Sequence, residues 1–506
     1  MNRLNVFFVL LWCSAVLSAN AQRINHAGRL LGPAPVVTNA VLFNTTQADA
    51  IVAAMQIFPT DSAWNEDISR RPVLANSDAM IAQISNDLLS SRRTLRAFKE
   101  MNFALIPDSQ PPVPINFIYY ADQSDPGPYP IPSNLPIETW PSETGVLTLQ
   151  QWQQDANNDG GDRHSIIVQP GAGLIWETWL TKLNSGQWEA ANGAKFDLKS
   201  NALRPATWTS GDAAGLPMFP ALPRFDECER GEIEHALRIV VKRTRAEFIY
   251  PARHYASVPY STDPNVPAMG QRLRLKSGFV IPANWTKQER AVLNALKKYG
   301  ALVADNGNFF SISVTPDNRW PSGCFDHLSS VGITNFEVIQ TTGQNEGPRS
   351  PNPPAANAGP DRTVSPGQPL TLQGSVTWVG LPTTNRWKLD AGPGTATFAD
   401  ATQTNTSVTF SASGTYTLLL SADDGVHAVA HDAAVFTVVQ SIAVAISRNA
   451  PNVMLNWTGG SAPFVVERTA ALSPLNWQPL LTNSQFSATL PASTAAGFFR
   501  VRAQGP

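Results

Sequence analysis

Apolar residues recur at every second position in short runs through most of this chain, and at helical spacing in two places. The alternating runs fall at 115–120, 165–168, 174–180, 194–198, 236–241, 248–250 and 272–276, each rich in β-branched or aromatic residues, and predict strands. One helix is predicted from Ser77, read as its cap, with Met80, Ile81, Ile84 and Leu88 on one face. The other is marked by a capping box of Thr286 and Glu289, by a stripe of Val292, Leu293, Leu296 and Tyr299, and by Gly300 as its stop. The pattern predicts a multidomain, mainly β protein. Its large β-rich N-terminal domain, residues 22–339, is expected to be jelly-roll or barrel-like with a few helices.

After residue 339 the pattern changes. Residues 340–354 are dominated by Thr, Gly, Asn and Pro without periodicity, which predicts a semi-rigid linker. Two short β segments follow. Residues 355–440 contain Asn357-Ala-Gly-Pro-Asp361, Trp387, Gly414-Thr-Tyr-Thr-Leu418 and Ala422-Asp-Asp-Gly425 between short strands. This module resembles the PKD-type, immunoglobulin-like domains of secreted bacterial proteins, a resemblance that implies a β-sandwich used as a spacer or weak binding module. Asp423 and Asp424 fit either a Ca²⁺ loop or a solvated turn. Residues 441–506, with Val453-Met-Leu-Asn-Trp457, Phe464-Val-Val-Glu-Arg468 and Gly497-Phe-Phe-Arg-Val501, resemble a fibronectin type III module, implying attachment or spacing. Within the N-terminal domain, Ser124-Asp-Pro-Gly-Pro-Tyr-Pro130, Gly161-Asp-Arg-His164, Trp208-Thr-Ser-Gly-Asp-Ala-Ala-Gly-Leu-Pro217, His235-Ala-Leu-Arg238, Pro251-Ala-Arg-His254 and Ala304-Asp-Asn-Gly307 resemble an uncharacterised family of exported bacterial proteins. That resemblance implies domain limits and transfers no activity.

The first 21 residues change the picture of where the protein works. Arg3, an apolar run from Val6 to Leu17 and small residues at Ala19 and Ala21 read as a secretory signal peptide. No stretch reaches the roughly 18 apolar residues of a membrane span, so an exported protein, secreted or at the cell surface, is expected. With 15% charged residues, a net charge of −2 and no basic run, nucleic acid is excluded as a partner. Cys13 leaves with the signal; Cys228 and Cys324 remain, to pair or to stand as separate thiols.

Candidate chemistry concentrates between Thr207 and His254. Asp212, Asp226 and Glu232 lie beside Gly- or Pro-containing turns, from which carboxylates can be aimed into a groove, and glycosidic hydrolysis needs two of them. Elimination from a uronic acid would instead use His235 or Tyr255 as base, with Arg238 or Arg253 neutralising the substrate carboxylate. His254 completes the catalytic candidates: Asp212, Asp226, Glu232, His235, Arg238 and His254. His164, His235 and His254 could hold a divalent metal, although no HxH or HExxH spacing supports it. Trp176, Trp208 and Arg253 are candidate substrate contacts, since flat rings suit sugar faces. Each of these residues also suits an ordinary structural role as turn former, edge salt bridge or core ring.

No G-x-S-x-G elbow, phosphate loop or dinucleotide fingerprint is present. Two readings follow. One is an exported carbohydrate-active enzyme, a hydrolase or lyase, acting on a polysaccharide or cell-surface glycan. The other is a non-catalytic glycan-binding or adhesion protein. Convergence of His164, Asp212, His235 and His254 on one pocket would favour the enzyme.

Overall fold

The computed structural model describes residues 22–142, 145, 147–158, 161–256, 261–460, 462–492 and 497–504. The signal-peptide reading of residues 1–21 lies outside them. The chain is mainly β, 33% strand against 13% helix. Its N-terminal part runs β1 (Val41–Leu42), α1 (Thr46–Ala53), α2 (Ser77–Asn86), β2 (Leu95–Lys99), β3 (Ala104–Leu105), β4 (Ile115–Phe117), α3 (Leu149–Gln153), β5 (Ser165–Gln169) and β6 (Leu174–Trp179). It continues through β7 (Lys182–Asn184), β8 (Gln187–Ala190), β9 (Asn192–Asp197), α4 (Phe225–Arg230), β10 (Leu237–Val241), β11 (Arg272–Leu275), α5 (Lys287–Lys298), β12 (Ala301–Asn306), β13 (Phe310–Val314) and β14 (Phe336–Val338).

These strands form a six-stranded sheet ordered β14-β11-β12-β10-β13-β2, a five-stranded sheet ordered β1-β3-β5-β6-β9, and a small sheet β4-β8-β7. Both large sheets are mixed. β10 pairs parallel with β12, and β13 parallel with β2. Parallel strands are usually covered on both faces, and β10, β12 and β13 accordingly contribute Leu237, Ile239, Val303, Phe310 and Ile312 to one core with Ile166, Val168 and Ile175 of the other sheet. Arg238 interrupts this apolar run. A second cluster, built on Ile106, Tyr129, Leu135 and Ile167, fills the space beside the small sheet.

Helix α5 follows the sequence signals closely. The Glu289 carboxylate accepts from the Thr286 backbone at 3.0 Å while the Thr286 hydroxyl accepts from Glu289 N at 3.1 Å. Val292, Leu293 and Leu296 are buried. Gly300 sits at φ +67, where a Cβ would stand 2.4 Å from the Leu273 carbonyl, so the helix ends where the chain turns into β12. Thr286→Ala removes the cap and is expected to lower stability by about 1 kcal/mol, with Thr286→Ser restoring most of it. A urea midpoint unchanged in the alanine variant would contradict this.

Three local expectations are corrected. Ser77 does not cap α2: Asn76 holds that position, and the Ser77 hydroxyl instead accepts from Val338 N at 2.8 Å, tying the helix to the edge strand β14. Residues 248–250 form only a single bridge, Phe248 to Met269. Asp226, expected beside a turn, lies instead in α4 (Phe225–Arg230), which Gly231 closes at φ +86.

The segment after residue 339 is held against the N-terminal part. Arg349 donates to the Asp61 carbonyl at 2.9 Å and to Glu66 at 3.2 Å, because the buried Glu66 carboxylate needs cations around it, and Pro348 is buried. Beyond it, strands Arg362–Val364, Ala430–Val438, Gly414–Asp423 and Thr384–Ala391 form one sheet of a small module, and Leu370–Thr371, Ser407–Phe410 and Ala396–Phe398 another. Trp387, Phe410, Tyr416 and Phe436 fill the space between them. A final pair of three-stranded sheets encloses Leu455, Trp457, Phe464 and Val466.

Candidate functional site

The side chains singled out between Thr207 and His254 separate into a closed ionic centre and two open clefts. At the centre, Arg238 projects from β10 and is 2% exposed; its Nε and Nη2 donate to Asp212 at 3.0 and 2.7 Å. Its Nη1 donates to Ser313 Oγ on β13 at 2.5 Å, and Ser313 donates to Glu100 at 2.6 Å. Asp305 on β12 lies 3.9 Å from Nη2. Next to them His164 bridges Glu138, 2.8 Å from Nδ1, and the Gly211 carbonyl, 2.8 Å from Nε2. Both ring nitrogens face acceptors, so the ring is an imidazolium. Glu177 on β6 accepts from Met218 N and Phe219 N, at 2.9 Å each.

Electrostatics explain why this centre is stable although buried. Burial works against the charge of His164, but Glu138 overrides it and raises the pKa to about 9. Burial raises Glu100, with Glu138 adding to it, and raises Asp305, with Asp212 adding, each to about 7. Burial likewise lifts Glu177 to about 7. Arg238 and His164 thus pair with Asp212 and Glu138, while three further carboxyls take up protons near neutrality. The product is a clamp that fastens the 208–217 loop to both large sheets.

The clamp has a measurable pH signature. Because the folded pKa of His164 lies above its unfolded value of about 6.5, its contribution is complete below pH 6.5 and is lost as pH rises through about 9. His164→Gln is expected to remove on the order of 3 kcal/mol at pH 6 and far less at pH 10. Unfolding curves at the two pH values with equal losses would reject it.

His254 sits apart, half-buried, with Nδ1 2.7 Å from the Ala213 carbonyl and its ring stacked on Tyr255; burial lowers its pKa. His235 faces elsewhere again, its Nε2 3.3 Å from Glu227. The three histidines therefore have separate partners, and among the described residues no group of three or more His, Cys, Asp or Glu is arranged to hold a metal ion. The three-histidine metal centre is not assembled. Each ring was drawn instead to the nearest carbonyl or carboxylate. Cys228 and Cys324 are both buried free thiols.

The first cleft, about 420 Å³, opens beside α4. Asp226 and Glu227 project into it from α4, His235 from the start of β10, and Asn25, His26 and Arg29 from the lead-in segment. Glu227 is paired with Arg224 and held down to about 2 despite burial. Asp226 differs. Burial raises it to about 6 against the pull of Arg224, and its Oδ2 makes no hydrogen bond, with Arg230 Nη1 standing off at 3.6 Å. Glu234 accepts from Arg29 Nε at 2.8 Å and from Asn25 at 2.9 Å, and lies 3.8 Å from Arg230 Nη2. Asp226 and Glu234 thus flank one guanidinium. His26 is neutral, held down to about 3 by burial and by Lys298, and its Nε2 also lacks a partner. Glu232 is exposed and does not line the cleft.

The second cleft, about 450 Å³, lies on the far side of the segment Phe58–Trp64 and is lined by Arg253. Trp208 is half-buried outside it under the Arg204 guanidinium, 5.6 Å from its ring centre. Trp176 is half-buried in the second core against Tyr129 at 4.8 Å, with Lys195 over its other side at 4.8 Å.

The small module after the tether completes the surroundings. Ser350 lies 2.9 Å from His427 Nε2, and Asp424 holds the other ring nitrogen at 2.6 Å, so Asp424 serves as a turn and docking residue. His431 packs over Gly28, where a Cβ would stand 2.9 Å from the ring, which sets the module beside the segment that carries His26. Residues 351–438 match the PKD domain family. The chain is also similar to a PKD domain from the KIAA 1837 protein, 25% identical over 16% of this chain and 83% of that one at a TM-score of 0.15. Fibronectin(III)-like modules of Clostridium thermocellum CbhA are 12% identical over 29% and 84% at 0.15. The D00-D0 domain of Intimin is 14% identical over 30% and 88% at 0.18. No curated protein matches the chain. The PKD domain accounts for the first C-terminal module and leaves the N-terminal clefts to be read from their own chemistry.

Sequence reasoning missed Glu100, Glu138 and Glu177. The first two stand in aperiodic segments without a signal. Glu177 had one: a carboxylate in the middle of the apolar strand Leu174–Trp179 must find partners inside.

Proposed function

We propose that this chain is an exported polysaccharide hydrolase, with the PKD domain and the terminal β module as accessory units that hold it near an insoluble or surface-bound glycan. The observation that carries the reading is the pair in the α4 cleft: Asp226, raised to about 6 with a buried, unpartnered oxygen, and Glu234, ion-paired with Arg29. Divergent environments for two carboxyls in one cleft are the requirement for acid and base roles in glycoside cleavage. Asp226 donates the proton to the leaving oxygen. Glu234, facing Arg230 from the other side, activates water.

Elimination is the weaker chemistry here. Arg238, one of the two arginines available to neutralise a uronate, is consumed by Asp212, and His235 lines a different cleft from Arg253. No helix among the described residues is long and apolar enough to cross a membrane. The experiment is release of reducing ends from a panel of plant and algal polysaccharides by the full chain, with Asp226→Asn as the control. Glycan retention without release, equal in both proteins, would leave a binding or adhesion protein in place of the enzyme.

A further inference from the structure

The second cleft contains a fixed guanidinium with nothing to bind. Arg253 is anchored through its backbone, donating from N to the Ala214 carbonyl at 2.9 Å and accepting from Thr207 N at 2.7 Å. Its Nε donates to the Arg204 carbonyl at 2.8 Å, and its guanidinium lies 5.9 Å from the Phe248 ring centre. Among the described residues Nη1 and Nη2 have no hydrogen-bond or ion-pair partner, although the side chain is half-buried. Arg204, the other cation of the cleft, is closed: it donates to the Thr209 and Gln123 carbonyls and pairs with Asp125. The guanidinium of Arg253 is therefore held by two side-chain contacts, to the Arg204 carbonyl and to Phe248, at a cleft lined by Phe58, Phe196 and Tyr250.

We infer that this cleft is a subsite for the carboxylate of a sugar acid. A guanidinium edge with two parallel N–H groups matches a planar carboxylate in a two-point contact, and it does so better when its orientation is set beforehand. Asn201, also at the cleft and itself fixed by donating to Asp61 at 2.8 Å, is placed for a ring hydroxyl. With Arg204 paired to Asp125, Arg253 and Asp197 are the remaining charged residues of the lining. This rests on the carbohydrate reading above and names the class of sugar, a uronate-bearing glycan. It involves residues on the other side of the Phe58–Trp64 segment from the Asp226 pair.

The test is calorimetric titration of the full chain with trigalacturonate, with galactotriose as the neutral arm and sulfate as the simple-anion arm. Trigalacturonate is expected to bind at least about tenfold more tightly than galactotriose, and Arg253→Gln to erase that difference. Arg253→Lys, which keeps the charge without the fork, should retain only part of it, and thermal unfolding of both variants checks that they fold. Equal affinity for the acidic and neutral trimers, trigalacturonate binding unchanged in Arg253→Gln, or sulfate bound as tightly as the trimer overturns the inference. Because binding is read without turnover, the two readings fail separately. Uronate binding with no polymer cleaved removes only the hydrolase, and cleavage with no acid preference removes only this subsite.

Discussion

Asp212→Ala is expected to destabilise the N-terminal part of the protein by about 3–5 kcal/mol, the cost of leaving a buried cation without its counter-charge. Asp212 is fully buried and takes two of the hydrogen bonds of Arg238, while Ser313 and the more distant Asp305 cannot replace a carboxylate at 2.7 Å. Arg238 has no route to shed its charge, since a guanidinium stays protonated in proteins. The loop from Thr209 to Leu216 would lose the tie of the Asp212 side chain to β10 and keep the contacts of Ser210 with the residue 212 carbonyl and of Gly211 with His164. Replacing both partners by apolar residues, Asp212→Leu with Arg238→Met, should recover a large part of the loss. Urea titration of the full chain separates these outcomes by the midpoint of the N-terminal transition. A wild-type midpoint in Asp212→Ala would mean that the pair is worth nothing net.

Asp226→Asn is expected to lower polysaccharide hydrolysis by roughly 10²–10⁴-fold, the usual contribution of a positioned general acid, with little change in stability. The amide has the same shape, and the Asp226 carboxyl makes no short contact that the fold depends on: its ion pairs with Arg224 and Arg230 are 3.7 and 3.6 Å long. The pH profile carries the sign. A general acid works only while protonated, so activity should be retained below pH 6 and fall as pH rises through about 6, where burial has placed the Asp226 pKa. The descending limb should vanish from whatever residual rate Asp226→Asn retains. An active Asp226→Asn enzyme with an unaltered profile would remove Asp226 as the acid.

Helix α5 was legible to its last residue because every signal lies within the helix itself: a Thr–Glu box, a stripe at three- and four-residue spacing, and a glycine that alone tolerates the closing turn. Strands β5, β6, β9, β10 and β11 were legible for the same reason, since alternation is a local property. Helix α4 was not. Four of its six residues are charged, so no apolar stripe announces it, and it exists because Arg224 and Glu227 satisfy each other in a buried place. The PKD module could be read from its turns and its few large apolar residues, as small sandwiches repeat both at fixed spacing.

What the sequence determined by itself, then, is the mainly β class, the PKD module and the stretch where charge is spent. Whether a given charge in that stretch faces a partner or a cleft was decided only by tertiary structure. Asp212 and Arg238 are 26 positions apart and cancel each other because β10 passes under the 208–217 loop. Asp226, two residues beyond Arg224, keeps a buried oxygen without a hydrogen bond because Arg224 is turned to Glu227 and Arg230 stands 3.6 Å away. The pKa and availability of a buried group depend on which neighbours the sheet order brings within a few ångströms. A sheet ordered β14-β11-β12-β10-β13-β2 brings together residues that no local pattern relates.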